Sequence, residues 1–487
     1  MRTAGYLLGV DAGQTATKAV LFDLTGRPVA VGSTRCPTVN PHPRWVERDM
    51  DHVWTAAADA IRQCTVEAPG PILAVGVVGH NDGIYAVDAA GRPVRPGITA
   101  MDSRAYEEVD RWRPVFDELL ALTGLVPFEG APAALAAHLL RHEPAVMESA
   151  RWLLFCKDWL RLRLTGEIAT DRTEACASFC DVRTGEYSDR ALELLGLSGL
   201  RDKLPPIRDC AEVVGTVTAE AAERTGLAVG TPVVVGAHDV DGAAIGDGVL
   251  HAGQLSLMAG TFSVNQVISD SVSTDTRWQA RGFLTSNRWL NMSTSPASAT
   301  NLDWLLRTVT GPIPHDDIDA EILAVAGDPS DVIFHPFLYG SPHGPGASAS
   351  FLGMRGWHSR GHLLRALYEG VVCNHRTHVE ALREAFPMGS VARLSGGGSR
   401  SSVWPRMFAD GLGVDIEITD TTEAGARGAA VLGGIGVGVW PDLKAAVADT
   451  VRVDRQFAKD PAGVQRFDEV YGRYLASVRA LGEDHRS

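Results

Sequence analysis

An acidic turn that follows a short apolar run has the composition needed for acid–base chemistry. Residues 232–235 (PVVV) predict a strand, and Asp239 and Asp241 lie in the turn that follows it. A carboxylate at the end of a buried strand can accept a proton from a substrate hydroxyl group. Either residue could instead cap the following helix or form an Asx-turn. We predict a catalytic base in this turn, with Asp239 and Asp241 as competing candidates.

A second turn has the composition of a phosphate-binding loop. The apolar run at residues 6–10 ends at Asp11, and the turn after it supplies possible phosphate donors at Gly13, Gln14, Thr15 and Lys18. Glycine lets backbone N–H groups approach an anion closely, and the Asp11 carboxylate could hold Mg²⁺ through water. An ordinary hairpin with a turn aspartate is the alternative interpretation.

The segment around Gly260 repeats this turn without its carboxylate. Residues 8–23 and 255–270 align without gaps and share Leu, Ala-Gly, Val and Asp at matching positions. Met258 occupies the position of Asp11, and we predict that Gly260 and Thr261 bind phosphate. A plain structural turn would account for this segment equally well.

Three consecutive glycines, Gly396, Gly397 and Gly398, follow an apolar run at residues 391–394. Such a run is costly to order, because glycine has more conformational freedom to lose than other residues. A helical pattern begins near Trp404, so the loop precedes a helix N-terminus, where anions bind. We predict an adenine or α-phosphate site here.

Polar residues that follow another buried strand could bind a polyhydroxylated substrate. His80, Asn81 and Asp82 come directly after the apolar run at residues 72–78, and Asp102 and Arg104 lie in a later polar segment. Solvated turns are the alternative for each. The Asp82 carboxylate suits a neutral sugar or polyol, and it would repel a sugar acid unless Arg104 offset its charge.

The bulk composition excludes several classes of protein. The formal net charge of −14 disfavours nucleic-acid binding, which needs clustered lysine and arginine. Seven scattered cysteines without a C-x-x-C pair predict reduced thiols in a cytoplasmic protein. We find no run of 18 apolar residues and therefore expect no membrane span. A lysine never follows a glycine, which excludes a P-loop, and the H-R-D and D-F-G motifs of protein kinases are missing.

The elements that must position these residues alternate as in an α/β protein. Short strands at residues 6–10, 18–22 and 29–31 precede a helix over 51–66 and a strand over 72–78. The repeated turn indicates that this order starts again near residue 254. We predict two duplicated domains, residues 1–248 and 249–487, with ligands in the crevice between them.

These motifs, in this order, resemble the FGGY family of carbohydrate kinases over roughly residues 5–445. The segments that carry the resemblance are 11–18, in which Gln14 replaces the usual threonine, 157–166 (KDWLRLRLTG), 170–171, 260–261, 396–398 and 423–430. The resemblance implies an α/β fold of two duplicated actin/hexokinase-like (ribonuclease H-like) domains with an interdomain cleft, in which residues 1–248 form the sugar side and residues 249–487 the nucleotide side. It also implies ATP and Mg²⁺ as cofactors, metal binding at Asp11 and Asp239, and Asp239 as the base.

Within the family, residues 238–240, 295–302 and 336–341 are most similar to the branch that phosphorylates L-xylulose and 3-keto-L-gulonate. We therefore expect phosphorylation of a ketopentose such as L-xylulose at a terminal hydroxyl group. The alternatives are a linear alditol (erythritol or xylitol), a keto-sugar acid or, in other classes, an actin-like ATPase or a non-catalytic sugar sensor. The expected partner is a small-molecule sugar or polyol, and a homodimer is one assembly that we consider.

Overall fold

The computed structural model describes residues 5–285, 287–344 and 347–484, with side chains described up to residue 481. The chain forms two compact units. The first unit comprises residues 1–250, 270–290 and 423–451, and the second comprises residues 251–269, 291–422 and 452–487.

The strands of both units are short, as expected for a mixed α/β chain. Along the chain they are β1 (Tyr6–Ala12), β2 (Ala16–Phe22), β3 (Pro28–Arg35), β4 (Glu47–Arg48), β5 (Ile72–Gly79), β6 (Tyr85–Val87), β7 (Gly97–Ile98), β8 (Trp152–Leu154), β9 (Thr170–Asp171), β10 (Ile207–Arg208), β11 (Val213–Thr216), β12 (Pro232–Val234), β13 (Ala237–His238), β14 (Leu255–Ala259), β15 (Ser263–Ser269), β16 (Gln279–Gly282), β17 (Trp289–Ser295), β18 (Ile333–His335), β19 (Ser350–Leu352), β20 (Val391–Ser395), β21 (Asp415–Thr419) and β22 (Val453–Phe457).

The helices range from single turns to long segments. They are α1 (Met50–Val66), α2 (Tyr106–Trp112), α3 (Phe116–Thr123), α4 (Pro132–His142), α5 (Pro144–Ser149), α6 (Cys156–Thr165), α7 (Arg172–Ala175), α8 (Asp189–Leu194), α9 (Ala219–Thr225), α10 (Asp239–Gly246), α11 (Thr300–Leu305), α12 (His315–Ala324), α13 (Arg360–Ala385), α14 (Trp404–Leu412), α15 (Ala424–Gly436), α16 (Leu443–Thr450) and α17 (Pro461–Asp484). None of the described helices is long and apolar enough to span a membrane.

The sheet of the first unit has the order β11-β12-β5-β1-β2-β3, and β13 also pairs with β5. Strand β2 is antiparallel to both β1 and β3, whereas β5 lies parallel to β1. This confirms the order of three strands, helix and strand that the sequence predicts. The apolar face of α1, including Val53, Trp54 and Ile61, belongs to the buried core of this sheet.

The sheet of the second unit repeats this topology. Six neighbouring strands of this seven-stranded sheet run in the order β17-β15-β14-β20-β21-β22, with β14 antiparallel to β15 and parallel to β20. The β1–β2 and β14–β15 hairpins therefore occupy equivalent places in the two sheets, as the gapless alignment of residues 8–23 and 255–270 suggests.

Helix α15 comes from the C-terminal part of the sequence, yet it packs inside the first unit against β1, β5 and α10. Its contacts depend on glycine. A Cβ atom at Gly428 would overlap the carbonyl oxygen of Gly242, and one at Gly9 or Gly76 would overlap carbonyl oxygens of α15. Close backbone approach of this kind fixes the relative positions of β1 and α10.

The predicted halves, residues 1–248 and 249–487, remain a proposal about how the sequence is organised. The compact units differ from those halves in two segments, 270–290 and 423–451, which lie in the first unit. The second of these segments contains α15, whose glycine-dependent packing against β1 and α10 accounts for its place. All seven cysteines are buried and have free thiols, as the sequence predicts.

Candidate active site

The β1–β2 turn holds the first group of predicted phosphate ligands. Asp11 and Lys18 face each other in the strand register, and the N–H of Gly13 donates to the carbonyl of Ala16 at 3.1 Å. Thr15 is exposed. Lys18 Nζ lies 2.8 Å from a carboxylate oxygen of Glu423, so its charge already has a partner.

Asp11 sits where the end of β1 meets the first turn of α15. A Cβ atom at Gly425 would overlap the Asp11 carboxylate, so the helix approaches this closely only because residue 425 is glycine. Burial raises the pKa of Asp11 to about 7, with further increases from the charges of Asp239 and Glu423 and a decrease from Lys18. Asp11 therefore lies close enough to Asp239 for the two charges to repel each other.

Asp239 is the first residue of α10, and His238 occupies the N-cap position. Gly236, in the preceding turn, has a φ of +85°, and a Cβ atom there would overlap the carbonyl oxygen of Val77. The turn therefore needs glycine. The Asp239 side chain is 29% exposed and that of Asp241 is 1% exposed, although they lie only two residues apart.

The His238 imidazole lies between the two carboxylates, with Nε2 3.0 Å from Asp239 and Nδ1 3.3 Å from Asp241. Burial alone would lower the pKa of His238, but Asp239 outweighs it and the pKa rises to about 10. Burial would likewise raise the pKa of Asp239, but the charge of His238 holds it below its usual value. The pKa of Asp241 is raised, chiefly by burial. Asp239 is therefore an accessible, ionised carboxylate at neutral pH.

The turn after β5 contains His80, Asn81 and Asp82. Burial, followed by the charge of Arg48, lowers the pKa of His80 to about 4, so its ring is neutral. Its Nε2 lies 3.3 Å from the hydroxyl oxygen of Tyr85. Asp82 has a φ of 61°, a left-handed conformation that is uncommon outside glycine and frequent at functional sites.

Thr173 joins this turn to the acidic turn. Its carbonyl accepts a hydrogen bond from Asn81 Nδ2 at 3.2 Å, and its hydroxyl oxygen accepts one from the N–H of His238 at 2.9 Å. Thr173, which the sequence motifs did not identify, therefore links Asn81 to His238.

A buried charge network supports Thr173. Lys157 Nζ lies 2.7 Å from Asp158 and 2.8 Å from Asp171, and all three side chains are fully buried. Asp171 in turn accepts hydrogen bonds from the N–H and hydroxyl groups of Thr173, both at 2.6 Å. The KDWLR segment (157–161) and the TD segment (170–171) thus support Thr173, which in turn bonds to the backbone of His238.

Arg281 is a residue that sequence reasoning missed. It lies on β16, and its Nη2 is 3.3 Å from Asp82 and 2.8 Å from Gln279. Its side chain is 2% exposed, and Nε and Nη1 have no hydrogen-bond partner among the described residues. Its charge also acts on the pKa values of His238 and Asp241. Arg281 lies 199 residues after Asp82 in the sequence, so no local pattern could indicate that the two side chains meet.

Asp102 and Arg104 lie in a different environment from the one expected for substrate ligands. Both side chains are fully buried, and Arg104 Nη2 lies 2.7 Å from both Asp102 and Glu47. The guanidinium group also stacks over Trp45 at 3.7 Å. These charges neutralise one another, so Arg281, rather than Arg104, offsets the charge of Asp82. A substrate role for Asp102 and Arg104 stays a prediction.

The second unit contains a cavity of about 280 Å³ at the end of its sheet. It brings together the predicted residues Gly260, Thr261 and Gly397 with side chains that the motifs did not identify. Those side chains include His315, Tyr368 and Ser401, and the cavity is also lined by Arg400 and Trp404, which belong to the glycine-run motif and the helix after it. The rings of Tyr368 and Trp404 are stacked with their centroids 4.1 Å apart, which gives the cavity one rigid aromatic side.

The three glycines of the 396–398 run have different surroundings. Gly396 has a φ of +85°, and a Cβ atom there or at Gly398 would lie 2.8 Å from atoms of Ala259. A Cβ atom at Gly397 would meet nothing within 4 Å, and this residue lines the cavity. Two of the glycines therefore serve packing against β14, and Gly397 faces open space.

Comparison with known proteins matches two consecutive parts of the chain to the two domains of one protein family. Residues 6–246 match the model for the N-terminal domain of the FGGY family of carbohydrate kinases, and residues 255–437 match that for its C-terminal domain. The chain is 33% identical to the probable L-xylulose kinase of Pasteurella multocida, covering 98% of this chain and 99% of the relative. It is 32% identical to the L-xylulose/3-keto-L-gulonate kinase of Escherichia coli K12, covering 99% and 98%.

The fold also matches a solved structure closely. The xylulose kinase from Rhodospirillum rubrum superimposes with a TM-score of 0.90 at 29% identity, covering 99% of this chain and all of the other. The fold class predicted from the sequence is confirmed by these matches. The chain belongs to the FGGY family of carbohydrate kinases, enzymes that transfer a phosphoryl group from ATP to a sugar.

Proposed function

We propose that this protein transfers a phosphoryl group from ATP to a terminal hydroxyl group of a ketopentose, and that L-xylulose is that sugar. The names of the full-length relatives from Pasteurella multocida and Escherichia coli support this choice. The observation that carries the chemical part is the contrast at α10, where Asp239 is accessible and ionised while Asp241 is buried. A linear alditol and a keto-sugar acid remain the alternative substrates.

In the proposed reaction, Asp239 accepts the proton of the attacking hydroxyl group. A hydroxyl group is a weak nucleophile, and its proton must leave as the new bond to phosphorus forms. His238 stabilises the carboxylate in its ionised form, and Thr173 holds the backbone of His238 in place. The rest of the catalytic effect comes from positioning and from charge stabilisation rather than from a covalent intermediate.

The donor set around Asp11 fits a magnesium ion. Asp11 and Asp239 offer hard carboxylate oxygens of the kind that Mg²⁺ prefers. The pKa of Asp11 near 7 reflects burial and then the charge of Asp239, both of which a bound cation would counter. When bound with ATP, Mg²⁺ supplies positive charge to the phosphate oxygens. Gln14 and Thr15 could donate to the phosphates from the same turn, and Gly13, whose N–H is bonded to the carbonyl of Ala16, would serve by letting the phosphates approach the backbone closely.

Lys18 has a more specific role in this proposal than a simple phosphate ligand. Its ammonium group pairs with Glu423 next to the first turn of α15. A phosphate oxygen would have to compete with that carboxylate for Lys18. We therefore propose that Lys18 chiefly sets the charge balance around Asp11, whose pKa it lowers.

For the nucleotide, we propose the cavity of the second unit. Gly260 and Thr261 offer a phosphate-binding turn, and the exposed backbone of Gly397 can lie against a flat base. The stacked pair Tyr368 and Trp404 supplies an apolar side, and Arg400 supplies a cation. These properties suit ATP better than a neutral ligand, because the cavity combines anion donors with aromatic surface.

For the sugar, we propose that Arg281 and Asp82 together bind oxygen atoms at one end of the substrate. The Nε and Nη1 atoms of Arg281 are buried without a partner among the described residues, which is costly unless a ligand oxygen completes them. Any substrate oxygen can accept these N–H groups, including the hydroxyl oxygens of an alditol, but a carbonyl or carboxylate oxygen is the stronger acceptor. Arg281 therefore favours a ketose or a keto-sugar acid over a linear alditol.

A kinase assay with ATP over a panel of ketopentoses, C4–C5 alditols and keto-sugar acids tests the proposed function. The expected result is the highest kcat/KM for L-xylulose, with a slower reaction on the keto-sugar acid. Formation of no sugar phosphate with any member of the panel would contradict the proposal. An alditol as the preferred substrate would overturn the choice of L-xylulose and the argument from Arg281.

Location and assembly complete the proposal. We place the enzyme in the cytoplasm, where ATP is available and where its seven buried thiols stay reduced. A homodimer stays a prediction, which light scattering on the purified protein would test directly.

A further inference from the structure

A cluster of histidine and glutamate lies away from the residues proposed to bind sugar and ATP. Glu108 on α2 faces His138 and His142, which lie one turn apart in the C-terminal half of α4. One ligand atom from each residue can be chosen so that all three lie within 4.8 Å of one another. Among the described residues, no other group of three or more histidine, cysteine, aspartate or glutamate side chains meets this condition.

The geometry of the cluster is set by the helices that carry it. His138 and His142 are four residues apart, so they lie on one face of α4, with ring centroids 4.3 Å apart. Helices α2 and α4 pack through a shared apolar core that includes Trp112, Leu135 and Leu139. Because this packing fixes the two helices, it also fixes the distance between Glu108 and the histidines.

The polar atoms of the cluster lack ordinary hydrogen bonds. Glu108 Oε2 and both ring nitrogens of His138 are buried without a hydrogen-bond partner among the described residues. The Glu108 side chain is 2% exposed and that of His138 is 10% exposed. Buried polar atoms in proteins are nearly always satisfied, so Glu108 Oε2 and His138 Nδ1, which lie 3.6 Å apart and lack hydrogen bonds, indicate a missing partner between them.

The distances between the possible ligand atoms suit a transition-metal ion if the side chains move slightly closer together. His138 Nδ1 lies 3.6 Å from Glu108 Oε2, and His142 Nε2 lies 3.9 Å from Glu108 Oε1. Tetrahedral coordination with bonds of about 2.1 Å spaces ligand atoms about 3.4 Å apart. His142 is 46% exposed, so its ring can move toward the ion without disturbing the core.

Two arginines compete with a metal for the same carboxylate. Arg111 lies 3.2 Å and Arg141 3.8 Å from Glu108 Oε1. Both side chains are 45% exposed and can turn into solvent. They leave Oε2, the oxygen nearest His138, without a hydrogen bond. An ion pair between Glu108 and these arginines is therefore the alternative, and it predicts no affinity for metals.

We propose that Glu108, His138 and His142 bind one divalent transition-metal ion, with Zn²⁺ as the best fit. Two imidazoles and one carboxylate form a ligand set that suits zinc and neighbouring metals better than Mg²⁺ or Ca²⁺. Water completes the coordination on the exposed side of His142. The ion links α2 to α4 and so stabilises the first unit.

Titration of tag-free, chelator-treated protein with Zn²⁺ against a chromogenic chelator tests this site. The expected result is one bound equivalent, with affinity lowered about tenfold or more in His142→Ala, since one of three protein ligands is lost. His142 is exposed, so this variant should fold. Arg111→Ala should bind Zn²⁺ more tightly, because it removes a cation that competes for Glu108.

His52→Ala, at an exposed histidine on α1, is the matched control and should bind Zn²⁺ like the wild type. Zn²⁺ should also raise the melting temperature of the wild type by a few degrees and leave that of His142→Ala unchanged. The proposal is overturned if the wild type binds no equivalent of Zn²⁺, or if His142→Ala binds it as tightly as the wild type. In the first case the cluster is an ion-pair network only.

Discussion

The two hairpins β1–β2 and β14–β15 share their topology and differ in their chemistry. In the first, Asp11 and Lys18 face each other across the strands. At the matching positions of the second stand Met258 and Asn265, and Asn265 is fully buried. It donates to Ser263 Oγ at 3.1 Å and to the carbonyl of Ser293 at 3.2 Å, and it lies 2.7 Å from His375.

In the proposed function, two related hairpins serve two separate tasks. The first hairpin lies among charges that shift each other's pKa values, which suits metal binding and proton transfer. The second lies beside a cavity with one arginine and a stacked aromatic pair, which suits binding without chemistry. The hairpins share their place in the sheet but pair in registers that differ by one residue, because Ala12 faces Thr17 whereas Ala259 faces Ser263.

Breaking the buried charges that support the turn around Asp239 in the first unit should have the largest effect on stability. Lys157→Met leaves Asp158 and Asp171 buried with less positive charge, at an expected cost of about 3–5 kcal/mol in the free energy of unfolding. The comparison in the second unit is Asn265→Leu, which removes neutral buried hydrogen bonds beside the second hairpin and should cost only about 1–3 kcal/mol. Urea unfolding of both variants compares them. Equal costs would remove the contrast between a charged and a neutral support.

Exchanging the residues at the Asp11 and Met258 positions should affect different kinetic constants in the two hairpins. Asp11→Asn should lower kcat by about a hundredfold, because charge stabilisation of the phosphate is lost. Met258→Asp, the reciprocal change, should instead raise the KM for ATP, because a new carboxylate repels the phosphates. Steady-state kinetics on both variants measure the two effects. Similar kinetic changes in both would show that the hairpins are interchangeable.

The same Asp11→Asn variant should be more stable than the wild type at alkaline pH. A raised carboxyl pKa means that the folded state holds its proton up to about pH 7, whereas the unfolded state loses it near pH 4. Wild-type stability from this group therefore falls as pH rises through that window. We expect the variant to gain about 1–2 kcal/mol at pH 8 and nothing at pH 3.5. Chemical unfolding at both pH values tests this, and a gain that persists at pH 3.5 would exclude titration as its cause.

Loss of Arg281 should have a more moderate effect, confined to the sugar. Arg281→Gln removes the cation that faces Asp82 and should raise the KM for L-xylulose by about tenfold, with the KM for ATP unchanged. Arg288→Gln, at a half-exposed arginine paired with Asp270 in the same unit, is the matched control. A rise in the KM for ATP of equal size would contradict a role specific to the sugar.

The smallest expected effect lies in the glycine run of the second unit. Gly397→Ala should leave stability unchanged, because the added Cβ meets nothing within 4 Å, and should raise the KM for ATP about threefold by narrowing the cavity. Gly398→Ala should instead lower the melting temperature, because its Cβ would lie 2.8 Å from Ala259. Thermal unfolding and kinetics separate the two, and a stability loss in Gly397→Ala would refute this division.

Local patterns along the chain predicted much of this fold. Apolar runs predicted β1, β2, β3, β5 and β12 in the first sheet and β20 in the second, and the repeat predicted the hairpin β14–β15 and the equivalence of Gly13 and Gly260. These signals arise because strands and turns depend on residues that are adjacent in sequence. The proposed roles of individual site residues remain predictions.

Other parts of the site depend on contacts between distant segments. Arg281 reaches Asp82 across 199 residues, and no local pattern reports such a contact. The burial of Asp102 and Arg104 depends on Glu47, and the surroundings of Asp11 depend on Gly425. In each case, tertiary packing rather than residue type decides whether a charge faces a ligand or another charge.

The central claim is that Asp239, and not Asp241, accepts the substrate proton. The direct measurement is the kcat of Asp239→Asn and Asp241→Asn with L-xylulose and ATP, together with the affinity of each variant for ADP. The account predicts a loss of about a thousandfold or more in kcat for Asp239→Asn with ADP affinity preserved, and a much smaller loss for Asp241→Asn. Full activity in Asp239→Asn, or the larger loss in a folded Asp241→Asn, would contradict it.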